Sequence, residues 1–311
     1  MRAQAAGLPI SRPDVGQGAC VPELPEVEVT RRRIGPLLVG RLICQVRTTR
    51  DSYFFLTRPA RLRARLTGRR IAALVRLGKY LVAELDEGSR LVVHLGMTGQ
   101  LFSSAATSPR LLSASRRSSI SPEAQRGFKA DAHTHLQLLF DDGGPEVYFR
   151  DVRKFGKVLL LERGESHPRL ARLGIDALEA TGDALFAATR GRKASIKALL
   201  LDQALISGVG NIYADEALFR AGVRPSRCAG RVTRRECARI AAAIREVLER
   251  SIETGGSSIR DYVAPDGSDG RYQDERRVYA RTGEPCLRCG SPIRRTTVAQ
   301  RGTHYCPTCQ R

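Results

Sequence analysis

Between Arg41 and Leu161 the chain alternates short apolar runs with turn sequences, a pattern typical of β-strands. Turns such as DEGS and DDGG separate several of these runs and are short enough to join antiparallel neighbours. This region is therefore predicted to be an antiparallel sandwich or barrel. The runs read RLICQVRTT, RIAALVRL, YLVAELD, RLVVHLGM, HLQLLF, EVYFRD and KVLLLE.

Helical patterns lie on both sides of the predicted strands. In the stretch ACVPELPEVEVTRRR, Pro25 and Glu26 indicate a helix start, because a fixed φ and a carboxylate both suit that end; Gly35-Pro36 then ends the helix. After about Pro168 the periodicity is helical, and a capping box from Thr233 to Glu236 opens the longest helix. The chain is therefore predicted to be α+β.

The changes of pattern divide the chain into an extension and three parts. Residues 1–21 form the extension, 22–165 the sandwich with its flanking helix, 166–265 the helical part and 275–311 a cysteine-containing end. Within the sandwich, residues 103–127 are rich in serine and arginine and are predicted to form a surface loop.

The net charge of the chain indicates which class of binding partner to expect. Lys and Arg number 52 against 32 Asp and Glu, which gives a net charge of +20 and a pI near 10.4. Such a surface attracts a polyanion, and nucleic acid is favoured over membrane because no apolar run reaches the ~18 residues of a spanning helix. Tryptophan is absent and aromatic residues make up 5%, so a broad base-stacking platform is not expected.

Four of the eight cysteines form two CxxC pairs near the C-terminus. Such pairs in one short segment are typical of a tetrahedral zinc site, and four thiolates leave no open position for catalysis. One structural Zn²⁺ is therefore predicted. The sequence RRTTVAQRGTHY between the pairs is predicted to form a hairpin with Arg301 near its tip. The predicted ligands are Cys286, Cys289, Cys306 and Cys309.

Several motifs, in order from Pro22 to Arg311, resemble the bacterial formamidopyrimidine-DNA glycosylase family. The opening PELPE indicates its oxidised-purine branch rather than the endonuclease VIII branch. The resemblance implies a β-sandwich, a helix-two-turn-helix DNA-binding domain and a zinc finger, with double-stranded damaged DNA across the cleft. The motifs are PELPEVEVTRRR, GKYLVAEL, HLGMTGQL, RDVRKFG, IKALLLDQALISGVGNIYADEALFRAG, SIETGGSS and AQRGTHYC.

The resemblance assigns four catalytic residues. Pro22 matches the N-terminal proline whose secondary amine attacks C1′ of the damaged nucleotide and becomes an iminium. Glu23 matches the general acid, and Lys79 the lysine of the elimination step. Arg301 matches the finger arginine, for which we expect phosphate binding, because a guanidinium with a pKa above ~12 is a poor proton donor. By themselves, Pro22-Glu23 would indicate only a helix start, and Lys79 a solvated strand edge.

Met97, Arg153 and Phe155 match the three residues that fill the gap left by the extruded nucleotide. An enzyme that acts on a base must take it out of the stack, at a cost of a few kcal/mol that inserted side chains offset. Taken alone, a single Met or Phe would be read as part of the core.

The resemblance also assigns His133, Lys193 and Asn211, together with Arg153, to DNA binding. Asn211 follows the glycine turn SGVG and begins a helix, so its side chain and nearby backbone N–H groups can hold a phosphate. Lys197 in SIKALL is expected beside the same surface. We expect a monomer in the bacterial cytoplasm, associated with the nucleoid.

The position of Pro22 departs from the family pattern. An internal proline nitrogen is part of an amide and cannot form an iminium while residues 1–21 are attached. The favoured explanation is that translation begins at Val21, from a GTG codon read as methionine, and that methionine removal exposes Pro22. Proteolytic removal of residues 1–21 is the second. The third is a non-catalytic, zinc-containing protein that binds damaged DNA.

Overall fold

A computed structural model describes residues 21–106, 128–258, 262 and 264–311. The predicted extension, except for Val21, and the predicted loop after residue 106 lie outside the described residues. None of the helices in the described ranges has the length and apolar character needed to cross a membrane.

Two four-stranded antiparallel sheets form the N-terminal part, as the strand pattern predicts. The first consists, in spatial order, of β1 (Ile43–Thr48), β6 (Thr134–Phe140), β7 (Val147–Asp151) and β5 (Gly99–Ser103). The second consists of β2 (Ile71–Leu77), β3 (Tyr80–Leu85), β4 (Arg90–His94) and β8 (Lys157–Leu161). Their facing side chains share one hydrophobic core.

Two elements of this part were not predicted. Helix α2 (Pro59–Leu66) is short and rich in arginine, yet Leu62 and Leu66, four residues apart, are fully buried. Strand β5 begins with glycine and glutamine, so its sequence lacks the apolar alternation of its neighbours, although all five of its residues are buried. In both elements tertiary packing outweighs a weak local pattern.

The helical part follows the sandwich and includes a two-residue parallel pair, β9 (Ile175–Asp176) with β10 (Ile206–Ser207). The predicted capping box at Thr233 is confirmed, because the backbone N–H of Thr233 donates to Glu236 Oε2 over 2.9 Å. The helices are α3 (Pro168–Ala171), α4 (Gly182–Thr189), α5 (Ile196–Leu201), α6 (Asn211–Ala221) and α7 (Arg234–Glu253).

Helix α1 (Leu24–Ile34) joins the two parts. It begins one residue before Pro25, which therefore occupies its second position, and a 3₁₀ turn (Gly35–Leu37) extends it beyond the predicted end. Val27 and Ile34 pack into the core of the sandwich, whereas Leu24 and Val29 pack into the core of the helical part. Helix α1 is thus held where the two parts meet.

The C-terminal end contains the predicted hairpin, formed by β11 (Arg294–Val298) and β12 (Arg301–Tyr305). Its two-residue turn is Ala299-Gln300, with φ of 49° and 58°. Positive φ at both positions is the geometry of a type I′ turn, which matches the twist of the flanking strands. Arg301 therefore lies at the tip, as expected.

Candidate active site and DNA interface

Glu23 lies buried at the N-terminus of α6, and its side chain is 3% exposed. Its Oε1 accepts a hydrogen bond from the backbone N–H of Ile212 over 3.1 Å, and Oε2 lies 3.5 Å from that of Tyr213. Burial raises the pKa of Glu23 to about 7; the charge of Lys79 and the two N–H groups lower it by less, and Glu26 adds to the rise. Burial therefore outweighs the groups that favour the carboxylate.

The glycine turn before α6 contacts Glu23 and Leu24 at the start of α1. A Cβ on Gly210 would lie 2.1 Å from Cδ of Glu23, and one on Gly208 would lie 2.4 Å from Cδ1 of Leu24. The N–H of Leu24 donates to the carbonyl of Gly208 over 3.1 Å. The sequence predicted a turn that holds phosphate; the structure shows that its glycines let the backbone approach Glu23.

Pro22 and Lys79 lie beside Glu23. Pro22 is buried next to it in the chain, and Lys79 is half-buried in the turn between β2 and β3. That turn packs on the glycine turn, since a Cβ on Gly78 would lie 3.1 Å from Cβ of Ser207. The positive charge of Lys79 lowers the pKa of Glu23 against the larger effect of burial. The structure therefore brings three of the four predicted catalytic residues together.

Glu26 is a buried hub that the sequence did not reveal. Its carboxylate accepts hydrogen bonds from the N–H of Glu23 over 2.9 Å, the hydroxyl of Tyr213 over 2.5 Å and the N–H of Ser257 over 2.8 Å. The Tyr262 hydroxyl donates to its backbone carbonyl over 3.1 Å. Sequence patterns read Glu26 as a first-turn carboxylate, because these partners are remote in the chain.

Met97, Arg153 and Phe155 occupy two adjacent loops. Met97 is half-buried between β4 and β5, next to Gly96, where a Cβ would lie 2.4 Å from the carbonyl carbon of Phe155. Phe155 is 43% exposed, and the guanidinium of Arg153 lies 4.7 Å from the centre of its ring. The N–H of Arg153 donates to Thr98 Oγ1 over 3.2 Å. The predicted trio is therefore assembled, with Arg153 and Phe155 facing solvent.

The other predicted DNA-binding residues are differently placed. His133 is half-buried beside the Arg153 loop, and its carbonyl accepts from the N–H of Asp151 over 2.9 Å. Lys193 is exposed in the turn before α5, and within the described ranges its side chain makes no hydrogen bond or ion pair. The structure does not bring Lys193 into the Glu23 cluster.

Buried polar contacts dock the hairpin on the helical part. Nζ of Lys197 lies 2.6 Å from Asp215 Oδ1 and donates to the carbonyl of Gly302 over 3.2 Å. The Asn211 amide donates to the same carbonyl over 3.1 Å. Both charged side chains are fully buried. Burial lowers the pKa of Lys197; the negative charges of Asp215 and Glu23 act against this shift, and the positive charge of Arg301 adds to it. Arg301 is exposed and precedes the anchored Gly302 in the chain.

The sequence only partly indicated this docking. It placed Lys197 beside a DNA surface, whereas the structure buries it as an ion pair within the protein. Asp215 was not singled out, because an acid in the middle of a helix is usually solvated. The apolar neighbours of Asp215 in NIYADEALF were the one available indication that its position is buried.

The four predicted cysteine ligands lie together, with all their sulfur atoms within 4.8 Å of one another. Sγ of Cys286 is 4.0 Å from that of Cys309, and Sγ of Cys289 is 3.4 Å from that of Cys306. These distances exceed the ~2.05 Å of a disulfide and bracket the ~3.8 Å between thiolates around one tetrahedral zinc ion. The cluster fits one metal ion.

Comparison with known families gives three matches in chain order. Residues 21–158 match the formamidopyrimidine-DNA glycosylase N-terminal domain, and residues 173–263 match its H2TH domain. Residues 283–311 match the zinc finger found in FPG and IleRS.

Similar proteins and structures match along nearly their whole length. A formamidopyrimidine-DNA glycosylase of Cupriavidus pinatubonensis is 44% identical over 304 residues, which cover 93% of this chain and 100% of the relative. The crystal structure of MutM (FPG) from Thermus thermophilus is 41% identical, with a TM-score of 0.77 and coverage of 93% and 98%. A Lactococcus lactis FPG mutant in complex with Fapy-dG-containing DNA is 34% identical, with a TM-score of 0.79 and coverage of 93% and 100%. The chain belongs to the formamidopyrimidine-DNA glycosylase family of DNA-repair enzymes.

Proposed function

We propose that the protein is a bifunctional DNA glycosylase and abasic-site lyase that excises oxidised purines such as 8-oxoguanine and formamidopyrimidines. Relatives of known structure support this substrate class, since one was solved with Fapy-dG-containing DNA and another with carbocyclic 8-oxo-G-containing DNA. The observation that carries the proposal is the buried Glu23 carboxyl, with its raised pKa, directly beside Pro22.

Glu23 acts as the general acid in this proposal. A carboxyl with a pKa of about 7 is substantially protonated at neutral pH, whereas one with the ordinary value of 4.5 is not. It can therefore protonate the sugar oxygen or the leaving base while remaining close to its proton-transfer optimum. Its two backbone N–H neighbours then stabilise the carboxylate that results.

Pro22 supplies the nucleophile. Its nitrogen forms a bond to C1′ while the bond from C1′ to the base breaks and the base leaves with the electron pair. Loss of the amine proton leaves a neutral aminal. Protonation of the sugar ring oxygen O4′ and cleavage of the C1′–O4′ bond, whose electron pair stays on that oxygen, then give an iminium, which accepts electrons as the strand is cleaved by β- and δ-elimination. Lys79 serves the elimination step, and Arg301 binds the phosphate through charge-assisted hydrogen bonds.

This chemistry requires a free Pro22 amine. We therefore propose that the active form begins at Pro22, after initiation at Val21 and removal of methionine. The family match that begins at residue 21 supports this start. Proteolytic removal of residues 1–21 would expose the same amine.

DNA binding is assigned to the loops and termini around this centre. Met97, Arg153 and Phe155 fill the gap left by the extruded nucleotide, and His133 and Asn211 contact the backbone. Lys193 contributes an outlying contact. One structural Zn²⁺, held by the four cysteines, keeps the hairpin folded and Arg301 in position. The protein acts on double-stranded DNA as a monomer.

Borohydride trapping tests the covalent step. Protein that begins at Pro22 should form a reduced covalent adduct with duplex containing 8-oxoguanine, and peptide mapping should place the adduct on Pro22. The full 311-residue chain, in which the same nitrogen is an amide, is the matched control and should form no adduct at Pro22. Intact DNA binding by the Pro22 form without any adduct would rule out the proposed chemistry.

A non-catalytic protein that binds damaged DNA is the second candidate, and the amide at Pro22 in the full chain favours it. The intact mass of the protein isolated from its own cells decides between the two. A mass that begins at Pro22 supports the enzyme, whereas a mass that retains residues 1–21 supports the binding protein.

A further inference from the structure

A cavity of about 270 Å³ opens beside Lys79, between the second sheet and the segment around α3. Its charged lining is entirely cationic and includes no carboxylate, although acidic residues are common elsewhere on the surface. Such a lining repels cations and attracts anions. The charged or titratable residues of the lining are Lys79, His94, Arg169 and Arg172.

A second cavity of about 140 Å³ adjoins the first and shares Tyr80, His94 and Arg169 with it. It adds Lys157 and His167 and again no acid. The two cavities therefore form a continuous cationic groove that leads from Lys79 toward the loop of Phe155, which also lines the second cavity.

Arg169 and Arg172 differ from several arginines on neighbouring elements, which pair with acids. Arg65 pairs with Glu162, and Arg76 pairs with Glu28 and Asp176. By contrast, Arg169 and Arg172 are exposed and make no ion pair with any acid in the described ranges. Two guanidinium groups at the edge of a cavity that lacks acids are free to bind an external anion.

His94, one of the two histidines that line the groove, is affected by these positive charges. The ring of His94 packs against that of Tyr80 in a tilted arrangement, with ring centres 4.9 Å apart, and its Nδ1 accepts a hydrogen bond from the N–H of Gly96 over 3.1 Å. Burial, together with the smaller effects of the positive charges of Lys79, Arg169 and Lys157, lowers the pKa of His94 to about 4. At neutral pH His94 is therefore uncharged, and the arginines and lysines supply the charge of the groove.

We propose that this groove is a phosphate subsite, in which Arg169 and Arg172 bind the sugar-phosphate backbone of the damaged strand next to the lesion. The site deepens the proposed function and rests on it, because the groove starts at the lysine assigned to strand cleavage. Exposed guanidinium groups hold phosphates without reading bases, so the subsite adds affinity for any duplex.

The salt dependence of binding tests the subsite. The affinity of Arg169→Ala, Arg172→Ala and the double variant for an abasic-analogue duplex and an undamaged duplex is measured from 50 to 300 mM salt. Loss of one phosphate contact lowers the slope of log K against log salt by about 1. We expect a decrease of about 1 for each single variant, about 2 for the double variant, and an equal loss on both duplexes.

Arg163→Ala is the matched control. Arg163 is exposed and lies beyond the far end of β8, at the opposite end of the strand from Lys157. Its removal lowers the net charge by the same amount but should change the slope by much less. Arg169→Lys and Arg172→Lys keep the charge and should restore the slope, which separates a phosphate contact from a folding defect. Slopes that equal that of Arg163→Ala would overturn the subsite.

The same proteins keep the two proposals separate, since equilibrium binding needs no chemistry. All variants are made in protein that begins at Pro22, and a lower slope in such protein that shows no excision would support the subsite and contradict the proposed function. Normal excision with an unchanged slope would support the function and eliminate the subsite.

Discussion

At the residue scale, two opposing effects act on the pKa of the Glu23 carboxyl. The two N–H groups at the start of α6 stabilise the anion, whereas complete burial stabilises the neutral acid. Because burial prevails, the side chain can deliver a proton at neutral pH and is then held as a carboxylate by groups already in place. Both protonation states of Glu23 are therefore accessible near neutral pH.

This arrangement predicts the pH dependence of base excision. The rate under single-turnover conditions should fall as pH rises through about 7, because the fraction of protonated Glu23 falls with it. Glu23→Gln should lower the rate by at least the 10²-fold typical of lost general-acid catalysis and remove this descending limb. Quench-flow on 8-oxoguanine duplex measures both. If the rate of the Glu23→Gln variant still falls as pH rises through about 7, the pH dependence belongs to another group.

The same pKa predicts a stability effect. The unfolded state releases the Glu23 proton near its ordinary pKa of 4.5 and the folded state near 7, so the contribution of Glu23 to stability decreases as pH rises between these values. Glu23→Gln should therefore be more stable than the wild type at pH 8, by on the order of 2 to 3 kcal/mol, with a smaller difference near pH 5.5. Thermal unfolding at both pH values, with equal metal content, checks this.

Gly210 permits the contact on which Glu23 depends. Gly210→Ala should displace the carboxyl, because the added Cβ would lie 2.1 Å from Glu23 Cδ, and excision should fall by at least about 10²-fold, as misplaced catalytic groups do. The control is Gly35→Ala, since Gly35 is helical with open space around it. That variant should keep activity close to that of the wild type, and no gain of stability is expected, because a Cβ on a helical residue directly before Pro36 is crowded by the proline ring. Equal activity of the two variants would contradict the close fit.

At the element scale, the loop of Arg153 and Phe155 is fixed at both ends. On its buried side, the N–H of Gly156 donates to Asp151 Oδ2 over 2.6 Å. On its exposed side, the Tyr53 hydroxyl donates to the carbonyl of Arg153 over 3.0 Å. The Lys157 ammonium lies 4.7 Å from the centre of the Tyr53 ring. An exposed tyrosine thus braces the loop proposed to enter the DNA.

Tyr53→Phe removes this brace and keeps the ring. Since one hydrogen bond contributes about 0.5–1.5 kcal/mol, excision of 8-oxoguanine should slow by roughly two- to tenfold. Cleavage at a preformed abasic site should be nearly unchanged, because no base has to be extruded there. Tyr305→Phe, a hydroxyl deletion on the hairpin, is the control. Equal slowing of both substrates would indicate a general defect instead of a loop effect.

Elements were predictable where local sequence determines them. The strands of the second sheet, the capping box at Thr233 and the hairpin tip at Arg301 all follow from patterns within a few residues. Strand β5 did not, because its burial comes from neighbours and not from its own alternation. The partners of Glu26, and the ion pair of Lys197 with Asp215, depend on which distant segments meet, and no local pattern encodes that.

At the scale of the whole molecule, the metal cluster and the active site are linked through the hairpin. The four cysteines hold the base of the hairpin, and Lys197 and Asn211 hold its tip beside Arg301. Without metal, the short C-terminal end lacks a core large enough to keep this geometry. The buried Lys197–Asp215 pair would then lose the hairpin contacts that satisfy it.

Metal removal should therefore weaken DNA binding without unfolding the sandwich. Chelation, or Cys289→Ser, should lower affinity for abasic-analogue duplex by more than tenfold, as loss of a phosphate contact and of the hairpin requires. Added Zn²⁺ should restore the chelated protein but not the variant. Elemental analysis should give one zinc per chain. Unchanged affinity in metal-free protein would show that the hairpin folds without the ion.

Helix α1 belongs to both hydrophobic cores, and this has a consequence for synthesis. It is synthesised before the helical part, yet the other members of the core that contains Leu24 and Val29 extend from residue 177 to residue 279. The sandwich can therefore collapse during translation with one face of its first helix uncovered. Glu23, the proposed general acid, reaches its place only when the glycine turn and α6 emerge, so the growing chain lacks the assembled candidate site for most of its production.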